Sequence, residues 1–562
     1  MTAAGSVCGT CGTAALRDNA KFCDACGDPI AQWHKTAEFK QVTVLFADVV
    51  HSMDIAAAVG AERLREIMTE LVSRCAAVVQ GYGGTVDKFT GDGIMAVFGA
   101  PVALEDHAFR ACLAALDIQE ETRRLAAEVQ RRDGVVLQLR VGMNSGQVIA
   151  GESGSGPMGY TAIGEHVGMA QRMESVAPPG GVMLSASTAR LVDESAVLGE
   201  PELVHIKGAD TPVPARRLLA IGDHEPSRRG ESPLVGRTWE ISTVTAILDE
   251  AIGGAGCVVN IMGAPGIGKS RLVRESAAIA TSRGVPVFTT YCESHTRDIP
   301  FYAVTRLLRV GLGVSDLDDR TARAHIRAEL PEADPEDLLL LDDLLGIADP
   351  AVASPDIAPD ARRRRLTALV NAVSMARRTP GVYVVEDAHW IDEVSESMLA
   401  DFLAVIPHAP SLMLITYRPE YHGALTRVSG AQTIALRPLT DVQTSALTAE
   451  LLGSDASISG VAAQVGARAA GNPFFVEEIV RDLAERGLLH GEPGAYLLRG
   501  DVADVSVPAT LQATIGARID RLDHAAKHTL SAAAVIGSRF DPELLTSLVD
   551  GPDVAPLIEA EL

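Results

Sequence analysis

The sequence predicts a multidomain α/β protein, and three observations support this class. The chain has 562 residues, and a soft prior of roughly 150 residues per domain suggests three or four domains. Its composition, with 47% hydrophobic and 22% charged residues, is typical of soluble globular protein. Strand-like and helix-like patterns alternate along both halves of the chain. We therefore expect several packed α/β cores rather than a disordered or repetitive chain.

Changes in composition divide the chain into five segments. They are a cysteine cluster at 1–35, an α+β domain at 36–222, a linker rich in charge, Gly and Pro at 223–233, a parallel-sheet domain at 234–500 and a mostly helical tail at 501–562. The tail stops inside a helix-like pattern, as a fragment of a longer protein would.

Hydrophobic periodicity predicts the main elements. In the first half we expect strands at Val42–Phe46 and Leu137–Met143, a hairpin at Thr85–Phe98, and helices over 64–79 and 105–131. In the second half we expect a helix over 239–251, parallel strands at Cys257–Met262, Val382–Val385 and Leu412–Thr416, and mostly helical stretches over 320–376 and 440–562.

Charge and targeting signals limit the possible partners. The net charge of -24 opposes non-specific binding to nucleic acid and anionic lipid, and so favours small-molecule or protein partners. The chain start lacks the basic and apolar regions of a signal peptide. The longest uncharged stretch, 251–268, contains Asn260, Pro265 and several glycines, which indicates a strand and loop rather than a membrane span. We therefore predict a cytoplasmic protein.

Four cysteines near the start form two Cys-x2-Cys pairs, Cys8 with Cys11 and Cys23 with Cys26. Two such pairs can present four thiolates tetrahedrally to Zn2+, and a segment this small cannot fold on its own core. The segment resembles the zinc ribbons of prokaryotic multidomain proteins, which implies a structural Zn2+. Unligated or redox-active cysteines are the alternative.

Two aspartates predict a second metal site. Asp48 ends the first predicted strand and Asp92 lies in the turn of the predicted hairpin, so their carboxylates can meet over adjacent strands. Such a pair suits two Mg2+ or Mn2+ ions, which can activate an attacking hydroxyl and stabilise leaving pyrophosphate. For either aspartate alone, capping of a turn would be the simpler explanation.

These aspartates lie in longer motifs. The chain reads, in order, VTVLFADVVHS, VDKFTGDGIMAVFGAP, LRVGMNSGQVIAGESG, YTAIGEHVGMAQRME and HIKGADTPVPARRLL. Over about residues 40 to 220 it resembles the catalytic domain of class III adenylyl and guanylyl cyclases. The resemblance implies a ferredoxin-like sheet with helices, and a homodimer with its active sites at the interface. It also implies that Asp48 and Asp92 ligate two metal ions, assisted by the Val49 carbonyl.

The same resemblance identifies substrate-binding residues. Lys88 occupies the purine-selecting position, and lysine can donate to adenine N1, where guanine carries a donor of its own. Thr161 matches the second adenine-contacting position. Arg172 matches the arginine that binds the phosphates as charge develops in the transition state. The implied reaction converts ATP to 3',5'-cyclic AMP.

One position departs from the family pattern. The family expects asparagine seven residues after Thr161, where this chain has Gly168. That asparagine contacts the ribose and helps to orient the nucleophile, so its loss implies turnover slower on the order of a hundredfold. A degenerate cyclase that binds nucleotide without turnover is the alternative reading.

The second half contains a phosphate-binding loop, GAPGIGKS, between a predicted strand and helix. The backbone N–H groups of such a loop bind phosphates, Lys269 reaches the terminal ones and Ser270 ligates Mg2+. The loop glycines are Gly263, Gly266 and Gly268.

A later buried strand ends in Glu386 and Asp387, as in a Walker B motif. One acid would hold the metal and the other would orient water, and the sequence leaves the assignment open.

The stretch from Leu234 to about Leu489 resembles the STAND branch of P-loop ATPases. The motifs that carry the resemblance are LVGRTWE, GAPGIGKS, VVEDAHWIDE, LITYRPE and GNPFFVEE. It implies that Arg237 and Pro473 lie near the base, that Arg418 senses the terminal phosphate, and that the tail after Val507 begins a winged-helix-like segment.

Three functional hypotheses follow. The first is an adenylyl cyclase regulated by ATP or by unknown protein partners at the P-loop module. The second is a degenerate cyclase acting as a nucleotide-binding scaffold with an ATPase switch, which Gly168 favours. The third is a nucleic-acid regulator, suggested by the cysteine cluster and the tail but opposed by the acidic charge.

Overall fold

The structure is a computed structural model that describes residues 38–559, apart from 90–91, 153–159, 194, 209–210, 223–233, 354, 377–378, 500–507, 509–511, 513–514, 517, 521, 537–541 and 550. The predicted zinc ligands and the predicted linker lie outside the described residues. The described residues form two compact units, one within Met1–Pro226 and Gln512–Arg521, the other within Ser227–Leu511 and Leu522–Leu562.

The first unit contains a nine-stranded sheet with strand order β2-β3-β1-β4-β6-β9-β7, in which β5 pairs with β4 and β8 with β9. Its strands are β1 Glu38–Val49, β2 Thr85–Phe89, β3 Gly93–Phe98, β4 Leu139–Glu152, β5 Tyr160–Ile163, β6 Val182–Ser185, β7 Ala196–Leu198, β8 Glu202–Val204 and β9 Val213–Ile221. Its helices are α1 Ser52–Val59, α2 Ala61–Gly81, α3 His107–Asp133, α4 Glu165–Val176 and α5 Ala186–Val192.

Strand β1 runs through the middle of this sheet, and its residues 42–47 are buried on both faces. Val44 points into a cluster that includes Ala170 of α4, whereas Leu45 points into a cluster with residues of α2 and α3. Alternate residues of a strand face opposite sides, so helices on both faces explain its nearly continuous apolar run.

The predicted strands and helices of this unit are confirmed, but two strands are longer than predicted. Strand β1 begins at Glu38 instead of Val42, and β4 extends to Glu152 instead of ending at Met143. The added ends pair with each other, Glu38 opposite Ala150, so backbone hydrogen bonding between strands extends both beyond their apolar runs.

The second unit contains a five-stranded sheet with order β11-β12-β13-β10-β14, whose strands pair in parallel. These strands are β10 Cys257–Met262, β11 Val287–Tyr291, β12 Gly381–Glu386, β13 Ser411–Tyr417 and β14 Gln432–Ala435. The helices up to residue 485 are α6 Thr238–Ile252, α7 Lys269–Ser282, α8 Tyr302–Gly311, α9 Asp319–Glu329, α10 Pro335–Leu344, α11 Pro359–Ala376, α12 Glu393–Leu403, α13 Asp441–Leu452, α14 Ser459–Ala469 and α15 Pro473–Glu485.

The parallel sheet and its three predicted strands are confirmed. The described region after residue 440 is mostly helical as predicted, with one short antiparallel hairpin of Leu489–His490 and Leu497–Leu498. The intervening GEPG sequence supplies turn residues. Later helices span His524–Ile536, Pro542–Leu548 and Ala555–Glu559, and the winged-helix-like assignment stays a prediction. Among the described helices, none is both long and apolar enough to cross a bilayer.

Candidate functional site

The first candidate site lies where β1 ends. Asp48 is opposite Gly93 of β3, and Asp92 immediately precedes that strand. The Val49 N–H donates to the Asp92 carbonyl oxygen at 3.3 Å, which holds the turn against β1. The structure thus brings the two predicted metal carboxylates together, as the adjacent-strand argument requires.

The electrostatics of this carboxylate pair suit a cation. Partial burial, and then the neighbouring Asp92 carboxylate, raise the pKa of Asp48 from 3.8 to about 6, against the opposing effect of Arg140. Ser52 Oγ donates to Asp92 Oδ2 at 2.7 Å. Two crowded acids that resist joint ionisation would both be stabilised as anions by a divalent cation between them.

The donor set fits Mg2+ or Mn2+ that shares its ligands with a substrate. In the described part of the chain, no cluster of three or more His, Cys, Asp or Glu residues could hold a metal on its own. Mg2+ is commonly bound by one or two carboxylates together with substrate phosphates and water. Asp48 and Asp92 with the nearby Val49 carbonyl match that pattern, and a nucleotide would complete the coordination.

Arg140 is a site residue that the sequence analysis missed. Its Nη2 atom lies 3.0 Å from Glu174 Oε1 and 4.0 Å from Asp48 Oδ2. Burial raises the pKa of Glu174 to about 7. Arg140 lies in the LRVGMNSG motif. A lone arginine within this largely apolar strand was the sequence feature that could have indicated a functional role. Arg140 therefore places a positive charge beside the carboxylates of Asp48 and Glu174.

The two purine-contacting candidates lie on neighbouring strands. Lys88 is exposed in β2 opposite Met95, within the hairpin that carries Asp92. Thr161 is in β5. The N–H of Ala162, the next residue, donates to Asp87 Oδ2 of β2 at 3.4 Å, so the two strands are held together.

Arg172 lies on α4, which packs closely against β4. A Cβ atom at Gly142 of β4 would meet the backbone of this helix at 1.8 Å, so only glycine fits there. The Arg172 guanidinium is 3.8 Å from the Cβ position of Gly208, beyond β8. A side chain at Gly168, one turn earlier, would have no atom within 4 Å of its Cβ.

His166, at the start of the same helix, is held by packing. Its ring lies over Gly146, where any Cβ would be 2.4 Å from Nδ1. Asn144 Nδ2 lies 3.2 Å from His166 Nδ1 and donates to its carbonyl oxygen at 2.9 Å. These contacts fix α4 to β4 and engage the imidazole.

The second candidate site is the phosphate-binding loop between β10 and α7. Gly266 and Gly268 have φ values of 75° and 101°, which glycine adopts readily. Lys269 and Ser270 open α7. Lys269 Nζ donates to the carbonyl oxygens of Gly263 and of the next residue, at 2.8 and 2.9 Å. The loop is thus already folded around its lysine, with a helix N-terminus available to phosphate.

Strand register places the other P-loop candidates at the same edge of the sheet. Met262 of β10 is level with Tyr417 of β13, and Val385 of β12 is level with Ile415 of β13. Because all three strands are parallel, the residues at their carboxyl ends, including Glu386 at the end of β12 and Arg418 just after β13, lie at one edge of the sheet.

The environments of these candidates differ. Glu386 is buried at 5% exposure, whereas the Asp387 side chain is 45% exposed. Asp387 has φ 54°, and its N–H donates to Thr416 Oγ1 at 2.8 Å, so a hydrogen bond supports a strained backbone. The Arg418 guanidinium lies over the Trp390 ring, 5.9 Å from its centroid.

Two side chains hold the loop from outside. Arg237 Nη2 donates to the Ile267 carbonyl oxygen at 3.1 Å, and its place near the base stays a prediction. Asn472 Nδ2 donates to the Pro265 carbonyl oxygen at 3.0 Å. Pro473, the residue chosen from the GNPFF motif, opens α15, and its place near the base stays a prediction. The sequence analysis missed the loop contact of its neighbour Asn472.

Comparisons with protein families match three parts of the chain. The description "Adenylate and Guanylate cyclase catalytic domain" matches residues 34–214, "AAA ATPase domain" matches residues 233–415, and a domain of unknown function matches residues 440–495. The chain therefore contains a catalytic domain of the adenylate and guanylate cyclase family, followed by an AAA ATPase domain.

Individual relatives share different parts of the chain. An uncharacterized protein of Rhizobium meliloti (strain 1021) is 28% identical over 535 residues, covering 91% of this chain and 50% of that protein. An adenylate cyclase of Mycobacterium tuberculosis (strain ATCC 25618 / H37Rv) is 30% identical, covering 30% of this chain and 38% of that protein. The guanylate cyclase soluble subunit beta-2 of Rattus norvegicus is 32% identical, covering 27% of this chain and 22% of that protein.

Among solved structures, the adenylyl cyclase CyaB from P. aeruginosa is 26% identical, with 34% of this chain and 98% of that chain covered and a TM-score of 0.31. The chain spans about half the length of the R. meliloti relative and a smaller share of the two cyclases. The relatives include cyclases named for each purine, so similarity alone does not choose between ATP and GTP.

Proposed function

We propose that residues 36–222 act as an adenylyl cyclase that converts ATP to 3',5'-cyclic AMP and pyrophosphate, and that the P-loop module binds ATP with Mg2+ and regulates this activity. The observation that carries the proposal is the carboxylate pair, Asp48 and Asp92, in which burial and then the Asp92 carboxylate raise the pKa of Asp48 to about 6. Two neighbouring carboxylates repel each other when both are ionised, and a bound divalent cation relieves this repulsion.

In the proposed reaction, the ribose 3'-oxygen loses its proton and bonds to the α-phosphorus of ATP. The bond from that phosphorus to the oxygen bridging the α- and β-phosphates breaks, and pyrophosphate leaves with the electron pair. When bound, two Mg2+ or Mn2+ ions would lower the pKa of the hydroxyl and offset phosphate charge. Asp48 and Asp92 would hold them with the Val49 carbonyl, while Arg140 and Arg172 would counter the charge that develops on the phosphates.

Lys88 supports ATP over GTP as the substrate. It is exposed on β2 and can donate to adenine N1. The strand that carries Thr161 is joined to β2 through the Ala162–Asp87 hydrogen bond, so the strands that carry the two candidates lie close together. This part of the proposal combines the position that the family resemblance gives to Lys88 with the hydrogen-bonding chemistry of lysine and adenine.

A second copy of the chain is the proposed partner of the cyclase domain. Phe39, Ile149 and Ile163 lie in register across β1, β4 and β5 and are 70%, 44% and 62% exposed. Residues directly opposite on antiparallel strands share a face, so they form one apolar strip. Contiguous exposed apolar residues commonly mark an interface. We expect Ile163→Lys to lower both the dimer fraction and cyclic AMP formation, and Leu203→Lys, at 73% exposure on β8, to serve as the control.

The deciding experiment is incubation of the full chain with ATP or GTP in Mg2+ or Mn2+, followed by measurement of both cyclic nucleotides. Cyclic AMP with little cyclic GMP is the expected result. Mainly cyclic GMP would overturn the substrate assignment, and neither product in a folded dimer would favour the second candidate below.

The second candidate is a degenerate cyclase that serves as a nucleotide-binding scaffold with the P-loop module as a switch. Gly168 favours it, because this position has open space where the family expects asparagine. Nucleotide binding without cyclic product would support this candidate.

We further propose that Cys8, Cys11, Cys23 and Cys26 bind one structural Zn2+ and that the protein works in the cytoplasm, where unknown protein partners regulate it. Metal analysis of the purified chain should find about one zinc per chain. Substitution of Cys23 and Cys26 by serine should release it without removing nucleotide binding. A zinc-free protein with a folded N-terminus would contradict the assignment.

A further inference from the structure

An apolar cavity lies within the second unit between α8, α11, α12 and β12. Its walls include Leu307 and Gly311 of α8, Tyr383 of β12, and Met398 and Phe402 of α12, and its volume is about 90 Å³. None of the described residues that line it is charged. Protein interiors are close-packed, so an apolar space of this size in contact with a central strand is unusual.

Two polar atoms buried in helix α11, which forms one wall of the cavity, have no hydrogen-bond partner. They are Thr367 Oγ1 and Asn371 Oδ1, and both residues line the cavity. Residues four apart on a helix share a face, so the two oxygens lie on the same side of α11. A buried polar atom without a partner is costly, and most such atoms in native proteins are satisfied.

The cavity therefore combines apolar walls with a polar spot that can accept a hydrogen bond. An apolar molecule with a hydroxyl group would fill the space and donate to one of the oxygens. Small-molecule sites commonly pair apolar walls with a few placed polar groups.

We propose that this cavity is a binding site for a small, uncharged and mainly apolar molecule with a hydroxyl group, which donates to Thr367 Oγ1 or Asn371 Oδ1. The ligand would contact Tyr383, three residues before Glu386 on the same strand. The site therefore connects directly to the strand that carries a P-loop acid, and it does not depend on the cyclase assignment.

The test uses phenol and benzene, two probes that differ by one hydroxyl. The full chain is labelled with ¹³C at its methionine methyl groups, and Met398→Leu identifies the Met398 signal. Titration of phenol should shift this signal, and phenol should bind about fivefold more tightly than benzene, the scale of one hydrogen bond. Thr367→Val and Asn371→Leu each remove one of the two acceptors at similar side-chain size, and at least one of them should reduce the preference for phenol while benzene binding persists.

Gly311→Leu tests the location by filling the cavity. A Cβ at Gly311 would have no atom within 4 Å, so the backbone there tolerates a side chain. This variant should lose both probes, whereas Gly460→Leu, at an exposed helical glycine with equally open space, should bind them as wild type does. A Met398 signal that neither probe moves, or undiminished binding in Gly311→Leu, would overturn the site. Equal affinities of wild type for phenol and benzene would overturn the hydroxyl assignment. If Gly311→Leu does not fold, the Met398 signal and the variants at the two acceptors still decide.

Discussion

The two nucleotide sites of this chain differ in how much of each is assembled within one unit. In the P-loop site, Lys269 is already bonded to its own loop, and Glu386 and Arg418 leave the sheet at the same edge. In the cyclase site, Asp48 and Asp92 meet, but Arg172 lies beside a different segment. A site built at one edge of a parallel sheet can bind its ligand in a single chain, whereas we expect the cyclase site to need residues from a second copy.

The sites also differ in charge. The P-loop offers a buried ammonium group and backbone N–H groups to an anion, while the carboxylate pair offers negative charge to metal ions. Variants at each site should therefore have separable effects, and the following predictions test that separation from the largest expected effect to the smallest.

The largest effect should come from the carboxylate pair. Asp48→Asn or Asp92→Asn keeps the side-chain shape but removes a metal-binding charge, so cyclic AMP formation should fall by at least about a thousandfold. Asp54→Asn is the matched control, because that nearby carboxylate is 83% exposed. Activity within a few-fold of wild type in either site variant would remove the two-metal assignment.

The next effect should be confined to the other unit. Lys269→Met removes the ammonium group that reaches the terminal phosphates, and ATP affinity there should fall on the order of a hundredfold. Equilibrium dialysis with ATP should show two classes of sites in wild type and one in the variant. Asp48→Asn provides the reciprocal control. If Lys269→Met abolished nucleotide binding at both sites, the sites would not be independent.

The difference between the sites also explains what the sequence could predict. The P-loop and the Asp48–Asp92 pair depend on residues close to strand ends, where local pattern and topology fix their positions, and the structure brings both sets together as expected. The contact of Asn472 with the loop depends on packing between segments more than 200 residues apart, which periodicity does not encode. The same reason hid the placement of Arg140 beside Asp48 and Glu174.

Strand ends show a similar limit. The apolar run of β1 begins at Val42, but the strand begins at Glu38 because β4 provides a partner for the added residues. Pairing between distant strands decides such boundaries, whereas the apolar pattern marks only the buried centre. The Cys pairs near the start and the linker at 223–233 lie outside the described residues, and their assignments stay predictions.

A smaller effect, of opposite sign, should come from Gly168→Asn. The open space at this position accepts the side chain, and its amide would provide the ribose contact that the family resemblance implies. Cyclic AMP turnover should rise about tenfold or somewhat more, at the scale of one oriented hydrogen bond. Gly460→Asn, on a helix of the other unit, controls for replacement of a helical glycine.

His166 is an alternative explanation for activity without that asparagine, and the structure argues against it because its ring packs on Gly146 and contacts Asn144. Unchanged turnover in folded, dimeric Gly168→Asn would favour the scaffold reading, since only a nearly complete site can be improved by one residue.

The smallest effect should be a pH dependence of metal binding. Burial and Asp92 raise the pKa of Asp48 to about 6, so protons compete with the cation as the pH approaches this value. Apparent Mn2+ affinity, measured by calorimetry, should fall roughly twofold between pH 7 and pH 6 and more steeply below.

The stability of the metal-free fold should also depend on pH. Because the folded-state pKa of Asp48 lies above the unfolded value of 3.8, protonation of Asp48 stabilises the metal-free fold below pH 3.8, and this contribution is lost as the pH rises through about 6. Asp48→Asn should remove both dependences. Glu174→Gln tests whether these pH dependences come from Glu174 instead, because its pKa of about 7 would place its own transition at higher pH. An Mn2+ affinity independent of pH from 5 to 8 would mean that Asp48 is not a ligand.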